Sequence, residues 1–398
     1  MSGTGPLSTV RLSSLSFSKG IPRVIVMVIS LLMLRQMGLS VAQVTTVVAL
    51  CYVPWVLKCW WKPWMGRLMG YRWWVVVTQF LLSAVFMAMA FTIASLPSVV
   101  TLLLLTAWLT AIHNVAADGL SSSAVSKQHH HLTRELSRKF ALVVGQGVLV
   151  MLAGNLQVVY RHDMLYSWRV MFFLLAGLFL LLCFWHALTI NNRCEAIAIN
   201  HEPLTVNHEP LTVSRASLLA FLFLYPFAQG MVDKASILFL VDAHSQGGLG
   251  LSPQEFGLVM GTVGIIGLTV GGIAGMNALR RWGAAACRWP MALSMLVPAA
   301  VYVAFSYSQP ELLPVGLGVL IAQLAYGFGF AAYLLALRHI AWREQGKSVM
   351  AFSLLLGCLL SGPLLTVLDY DVFFLLALLL SGLSPLAVCL LRKIPMQK

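Results

Sequence analysis

The chain has 398 residues, 59% of them hydrophobic and only 10% charged, with a formal net charge of +13 and a mean hydropathy of +0.86. A soluble domain of this length needs a far larger charged surface, so the composition excludes an ordinary water-soluble globule and points to the bilayer. In a soluble protein such a basic excess would suggest nucleic acid; in short loops beside apolar runs it reads as topology and as contact with anionic headgroups, and no nucleic-acid partner is expected.

Twelve apolar stretches follow one another: 18–36, 41–61, 73–94, 98–120, 138–160, 167–190, 216–241, 254–279, 288–307, 312–338, 347–368 and 371–391. Each approaches the roughly 20 residues that a helix needs to cross the hydrocarbon core. Helices are the default because every backbone polar group must be satisfied without water. Residues 1–17 are Ser-rich and no A-x-A site follows the first apolar run, so the first span is expected to be retained. With the N-terminus inside, all but five of the 26 Lys and Arg fall on the inner side. Arg35, Arg161 and Arg169 lie outside, and Lys58 and Lys234 lie within spans. That one-sidedness predicts a multi-pass protein with both termini cytoplasmic.

Ionisable and polar residues inside spans are the candidates for function, because they are costly there and usually face a cavity or a partner. The second span ends in YVPWVLKCWWKPW (52–64), where Lys58 either snorkels with Lys62 to the inner interface or faces the interior. The tryptophans around it (Trp55, Trp60, Trp61, Trp64, Trp73, Trp74) read first as an interfacial belt and second as a sugar-stacking platform. The fourth span places His113, Asn114 and Asp118 about one turn apart, on one face of a helix. There Asp118 could carry a proton, hold a basic residue such as Arg138, or lock an inner gate. The fifth span carries Gln146 among Gly145, Gly147 and Gly154.

Between the sixth and seventh spans lies a polar loop, 191–215, with NHEPLTV written twice, at Asn200–Val206 and Asn207–Val213. A small duplication in a tolerant linker explains it best, with a metal site from His201, Glu202, His208 and Glu209 as the alternative. The run His129–His131 reads first as a solvated loop and second as a metal site. The seventh span holds Gln229, Asp233 and Lys234. Adjacent residues point in different directions on a helix, so Asp233 and Lys234 need not pair with each other, while Gln229 can share the face of Asp233. This is the sharpest candidate for a solute or coupling site, against a structural ion pair between halves. The eighth span repeats G-x-x-x-G at 257–261, 267–271 and 271–275, which favours close helix packing. The tenth adds Gln323 and Tyr326, and Gln79, Asn155 and Gln157 read as glue between helices.

The seven cysteines lack C-x-x-C or metal spacing and are expected to be buried, inert thiols. No G-x-S-x-G, Walker A or H-E-x-x-H motif is present, so neither an enzyme activity nor a cofactor is expected. Two readings of another class stay open: a membrane-embedded transferase using His113 and Asp118, and a non-transporting sensor.

Six spans, a linker and six more spans form the arrangement of major facilitator transporters, whose halves are related by an axis along the membrane normal with the solute held near the midplane. The expected fold is therefore all-α and integral to the membrane, with six-helix halves at 1–190 and 216–398 joined by 191–215. Within it, VPWVLKCWWKPW (53–64), HNVAADG (113–119), GQGVLVMLAG (145–154), SWRVMFFLLAG (167–177), the run 238–273 containing LSPQEFG, and AQLAYGFGFAAYLLAL (322–337) resemble the AmpG-type muropeptide permease branch of that superfamily. The resemblance covers most of the chain, and LSPQEFG and YGFGF are its most specific pieces. It implies a monomer in a bacterial inner membrane that imports an anhydromuropeptide or related cell-wall fragment, driven by the proton gradient, in peptidoglycan recycling. Related branches that move siderophores or acetyl-CoA supply the alternative cargo. Two positions depart from the family: Asn114 stands where an acid is common, and the loop WMGRLMGYR (64–72) lacks the usual Asp. Proton coupling is then left to Asp118, Asp233 and His113.

Overall fold

A computed structural model describes residues 9–123, 136–160, 163–190, 215–338 and 343–389. Among these, every regular element is a helix. In chain order they are α1 (Val10–Gln36), α2 (Val41–Val56, continued after a 50° bend by Lys58–Met65), α3 (Tyr71–Thr92), α4 (Leu96–Ser123), α5 (Leu136–Val159), α6 (Met164–Thr189) and α7 (Arg215–Val241). Pro253–Ser308, at 56 residues, is too long for one crossing and breaks at Gly283, whose φ of 78° no helix permits. It makes two helices, α8 (253–282) and α9 (284–308). Then come α10 (Leu312–Arg338), α11 (Arg343–Val367) and α12 (Tyr370–Cys389). Counting the bent pair once and the broken stretch twice gives the twelve expected spans.

The largest difference from the sequence reading is at the start. Helix α1 begins some two turns before residue 18, because Leu12 and Leu15 recur at helical spacing and are buried, and Ser16 and Ser18 turn inward with them. Other ends follow local chemistry. Ser40 and Ser252 each form a capping box, with Gln43 and Glu255. The LSPQEFG segment is thus a helix start, with Pro253 in the first turn, where its missing N–H costs nothing. Inside α7, Pro226 cannot donate to the Leu222 carbonyl, and the Tyr333 hydroxyl of α10 donates to that carbonyl instead at 3.2 Å.

Contacts gather the chain into two compact units, Met1–Ser30 with Leu57–Val206 and Leu31–Val56 with Asn207–Lys398. In the first, Phe86 of α3 packs between Phe172 and Phe179 of α6, and all three are buried. The π-helical turns Ile25–Ile29 of α1 and Val143–Val148 of α5 meet there, and a Cβ on Gly145 would press on Val24 at 3.1 Å. In the second, α8 and α10 are in backbone contact. A Cβ on Gly267 would stand 2.7 Å from the Leu320 carbonyl, and one on Gly271 would collide with the Leu324 carbonyl. Gly267, Gly271 and Gly275 of the eighth span therefore do the packing expected of them.

Cys51, Cys287 and Cys358 are buried, but Cys389 is exposed, which corrects the expectation of uniformly buried thiols. The NHEPLTV pair and His129–His131 lie outside the described residues. Among the described residues no group of three His, Cys, Asp or Glu could hold a metal ion.

Gly271→Ala is expected to cost about 1–3 kcal/mol by forcing α10 away. Gly316→Ala, where a Cβ meets nothing within 4 Å, should be neutral or stabilising by up to about 1 kcal/mol. Thermal unfolding of the two variants in detergent separates these outcomes. In the same assay Tyr333→Phe should lose about 1–3 kcal/mol, the cost of leaving the Leu222 carbonyl unsatisfied.

Candidate functional site

In the second unit, Asp233 and Lys234 form an ion pair, Lys234 Nζ to Asp233 Oδ2 at 2.7 Å. The sequence reading left this pairing open. Their Cα–Cβ bonds diverge, but the four-carbon Lys stem folds back, and a buried ammonium strongly favours a carboxylate within reach. The pair is asymmetric: the Lys234 side chain is 3% exposed and that of Asp233 is 42% exposed. The Lys234 ammonium lies 5.9 Å from the centre of the Tyr52 ring on α2, with Cys358 of α11 nearby.

Close helix crossings set this position. The backbones of α7 and α11 touch at Gly230 and Gly357, where a Cβ on Gly357 would stand 2.8 Å from the Phe227 carbonyl. The Ser353 hydroxyl donates to the Phe223 carbonyl at 2.7 Å, and the Cys358 thiol to the Thr45 carbonyl of α2 at 3.4 Å. Gln229, one turn before Asp233, is buried.

In the first unit, His113 is fully buried on α4. Its Nε2 lies 3.0 Å from Ser18 Oγ and its Nδ1 3.0 Å from Thr78 Oγ1. His186 on α6, which the sequence reading did not single out, repeats the pattern. Its Nε2 lies 3.0 Å from Ser14 Oγ, and its Nδ1 faces the Gln79 amide at 2.9–3.0 Å. Both rings have both nitrogens partnered, as core histidines require. Asp118 pairs with Lys19 of α1, a partner not weighed from sequence. Asn114 is half-buried, and its Oδ1 accepts no hydrogen bond. His113, Asn114 and Asp118 therefore meet different neighbours. The available signal was Ser14 and Ser18, four residues apart, with Lys19 beside them.

The remaining candidates are dispersed. Lys58 opens the second segment of α2 and is buried, 9% exposed, so it does not reach outward as a snorkelling side chain would. Gln146 is half-buried in the π-helical turn of α5. Gln323 packs its Cγ toward Gly264 of α8, and Tyr326 lies 5.5 Å from the Phe330 ring centre. Trp60, Trp64 and Trp73 are exposed, as a belt would be.

A further cluster escaped the sequence reading. Arg35 donates through Nε to Asp242 Oδ1 at 2.6 Å and through its terminal nitrogens to Gln246 Oε1 at 2.6 Å and the Leu39 carbonyl at 3.0 Å. The Tyr370 hydroxyl donates to Asp242 Oδ2 at 2.8 Å. The ends of α1 and α7 and the start of α12 are thereby tied together, beside a cleft of about 430 Å³ lined in part by Gln36, Gly38 and Pro253. Arg35 was counted only as an outer basic residue. Asp242→Ala should cost about 1–3 kcal/mol by stranding Arg35, and an Arg35→Leu/Asp242→Ala double variant should lose less than the sum of the singles in a thermal-stability cycle.

The family described as the Major Facilitator Superfamily matches residues 12–362. No curated protein matches the sequence. Among solved structures, the nucleoside transporter NupG superposes with a TM-score of 0.72 at 12% identity, over 96% of this chain and 99% of that one. The xylose transporter XylE from E. coli gives 0.69 at 11% identity over 97% and 98%. A D-xylose-proton symporter gives 0.64 at 15% identity over 98% and 97%. At such identities the likeness is one of fold alone. Twelve apolar helices with this path and a family match over most of the length lead to one conclusion: the chain belongs to the major facilitator superfamily.

Proposed function

We propose that this protein is a secondary transporter that imports a polar solute by proton-coupled alternating access, and that the solute is an anhydromuropeptide or related cell-wall fragment. The observation that carries the reading is the Asp233–Lys234 pair, buried on one side and open on the other. Taking two charges out of water costs several kcal/mol per ion. The ammonium also lies against the Tyr52 ring of α2, so the pair sits where two helices meet. A carboxylate facing lipid would be expensive as well, so the open flank of Asp233 fits a water-filled solute path.

The structural neighbours named as nucleoside, xylose and xylose–proton transporters handle solutes that contain a sugar, as wall fragments do. The narrower cargo rests on the LSPQEFG and YGFGF segments, and the inner-membrane placement with cytoplasmic termini rests on the sided Lys and Arg. Asp118, paired with Lys19, is the second coupling candidate.

Uptake of labelled anhydromuropeptide into proteoliposomes tests the reading. An imposed inward proton gradient should accelerate uptake by the wild type. Asp233→Asn should lower the accelerated rate at least about tenfold, the loss expected when one charged hydrogen bond is removed. Uptake by Asp233→Asn that still responds to the gradient would rule out Asp233 as the sole coupling group. Purified protein that alters the mass of the fragment would point to the transferase instead.

A further inference from the structure

We infer that the turn between α8 and α9 is a binding site for the headgroup of an anionic phospholipid, held by Arg280, Arg281 and Arg288 with Trp282 and Trp289 beside them. The inference rests on the membrane fold and not on the cargo.

The three arginines are the only charged residues between Glu255 and Glu311. No carboxylate near them in sequence offsets their charge, and packing supplies none. Arg280 and Arg281 are exposed and make no hydrogen bond or ion pair among the described residues. Arg288 spends only its Nε, which donates to the Ala285 carbonyl at 3.3 Å. Three like charges gathered on one turn repel one another, so folding gains nothing from their placement. An anion bound among them reverses the sign of that term.

The turn is a fixed platform. Gly283 breaks the helix at a φ of 78°. Ala278 before the break is buried with Cys287 and Met291 after it, against Ala331 of α10. A headgroup therefore meets backbone that is already ordered, and binding it costs little further entropy.

The tryptophans say where the turn lies and what it takes. Trp282 is 63% exposed and Trp289 is 38% exposed. Indoles favour the headgroup layer of a bilayer, and a turn that joins two spans ends near that layer. The Arg281 guanidinium lies 5.8 Å from the centre of the Trp282 ring, within cation–π range, so the indole keeps that charge at headgroup depth. A choline headgroup fits poorly, because the ring that would take its ammonium already carries a cation and the three arginines repel it. A phosphodiester without a balancing ammonium suits the planar guanidinium fork in charge and in geometry. On the sided reading of Lys and Arg this turn faces the cytoplasm, where anionic lipids attract basic segments.

The first unit offers a contrast. At the start of α3, Arg72 lies 5.3 Å from the centre of the Trp73 ring, but its Nη2 also donates to the Ala187 carbonyl at the end of α6 at 3.0 Å. That guanidinium joins two helices. Arg281 stacks on its indole and joins none.

Purified full-length protein, stripped of lipid in a non-ionic detergent, is titrated with phosphatidylglycerol or phosphatidylcholine, and retained lipid is counted by native mass spectrometry. The wild type should retain phosphatidylglycerol at least about tenfold more tightly, each arginine contributing about fivefold. Arg280→Gln/Arg281→Gln/Arg288→Gln should lose that preference. Arg23→Gln/Arg215→Gln/Lys347→Gln removes the same charge elsewhere and should keep it. Arg280→Gln/Arg281→Gln changes exposed side chains alone and answers the question where the triple Arg variant does not fold. Equal retention of the two lipids by the wild type, a preference that survives in the Arg280, Arg281 and Arg288 variants, or an equal loss in the charge control overturns the inference. Displacement of phosphatidylglycerol by inorganic phosphate at the same concentration overturns it as well, because the site would then be one for a free anion.

Discussion

Along a spanning helix there is no water to accept or donate a hydrogen bond, and most of this structure follows from that one constraint. It makes every described element a helix. It also governs places where the regular ladder fails. Pro226 frees a carbonyl in α7, and Tyr333 from α10 donates to it. Ser40 and Ser252 close the starts of α2 and α8 with their own side chains. Two buried histidines in the first unit have every ring nitrogen placed against a hydroxyl or an amide. These groups enter their helices with partners, and the identity of the partners gives each helix its neighbours.

The same constraint explains what was legible in the sequence. A run of about 20 apolar residues has few alternatives to a spanning helix, so the twelve stretches could be read directly. Hydropathy says nothing about polar groups satisfied at a distance, and the misreadings collect there. Residues 9–17 were left outside the first span as a Ser-rich stretch because the partners of Ser14 and Ser18 lie in α6 and α4, 172 and 95 residues away. Lys19 was counted as a topology signal, although its carboxylate is in α4. Arg35 was treated likewise, with Asp242 207 residues off. The Asp233–Lys234 pairing stayed open for another reason. A helical wheel fixes the direction of Cβ but not of an ammonium four carbons further out.

The two units hold their buried polarity in different ways. In the first, the imidazoles of His113 and His186 are closed in by Ser14, Ser18, Thr78 and Gln79, and α1 is held to α3, α4 and α6 by these bonds. Such a cluster specifies which helices pack together, and its completeness leaves little for a solute to bind. In the second, the site at Asp233 has an open member. Burial alone therefore does not distinguish these polar residues; what separates the two clusters is whether any of their polar capacity is exposed.

Connectivity separates the two charged pairs within the second unit. Arg35 and Asp242 join α1 to α7, and Tyr370 brings in α12 through the same carboxylate. Removing one member strands another in a place built for both, so the energy of that cluster is bound up with the packing of three helices. Asp233 and Lys234 share a single helix, and the helices around them are held by glycine crossings and by the Ser353 and Cys358 bonds. Lys234 is balanced by a carboxylate on its own helix, beside the Tyr52 ring, whereas Asp242 is balanced by groups from two other helices, and that difference separates a local pair from a clamp.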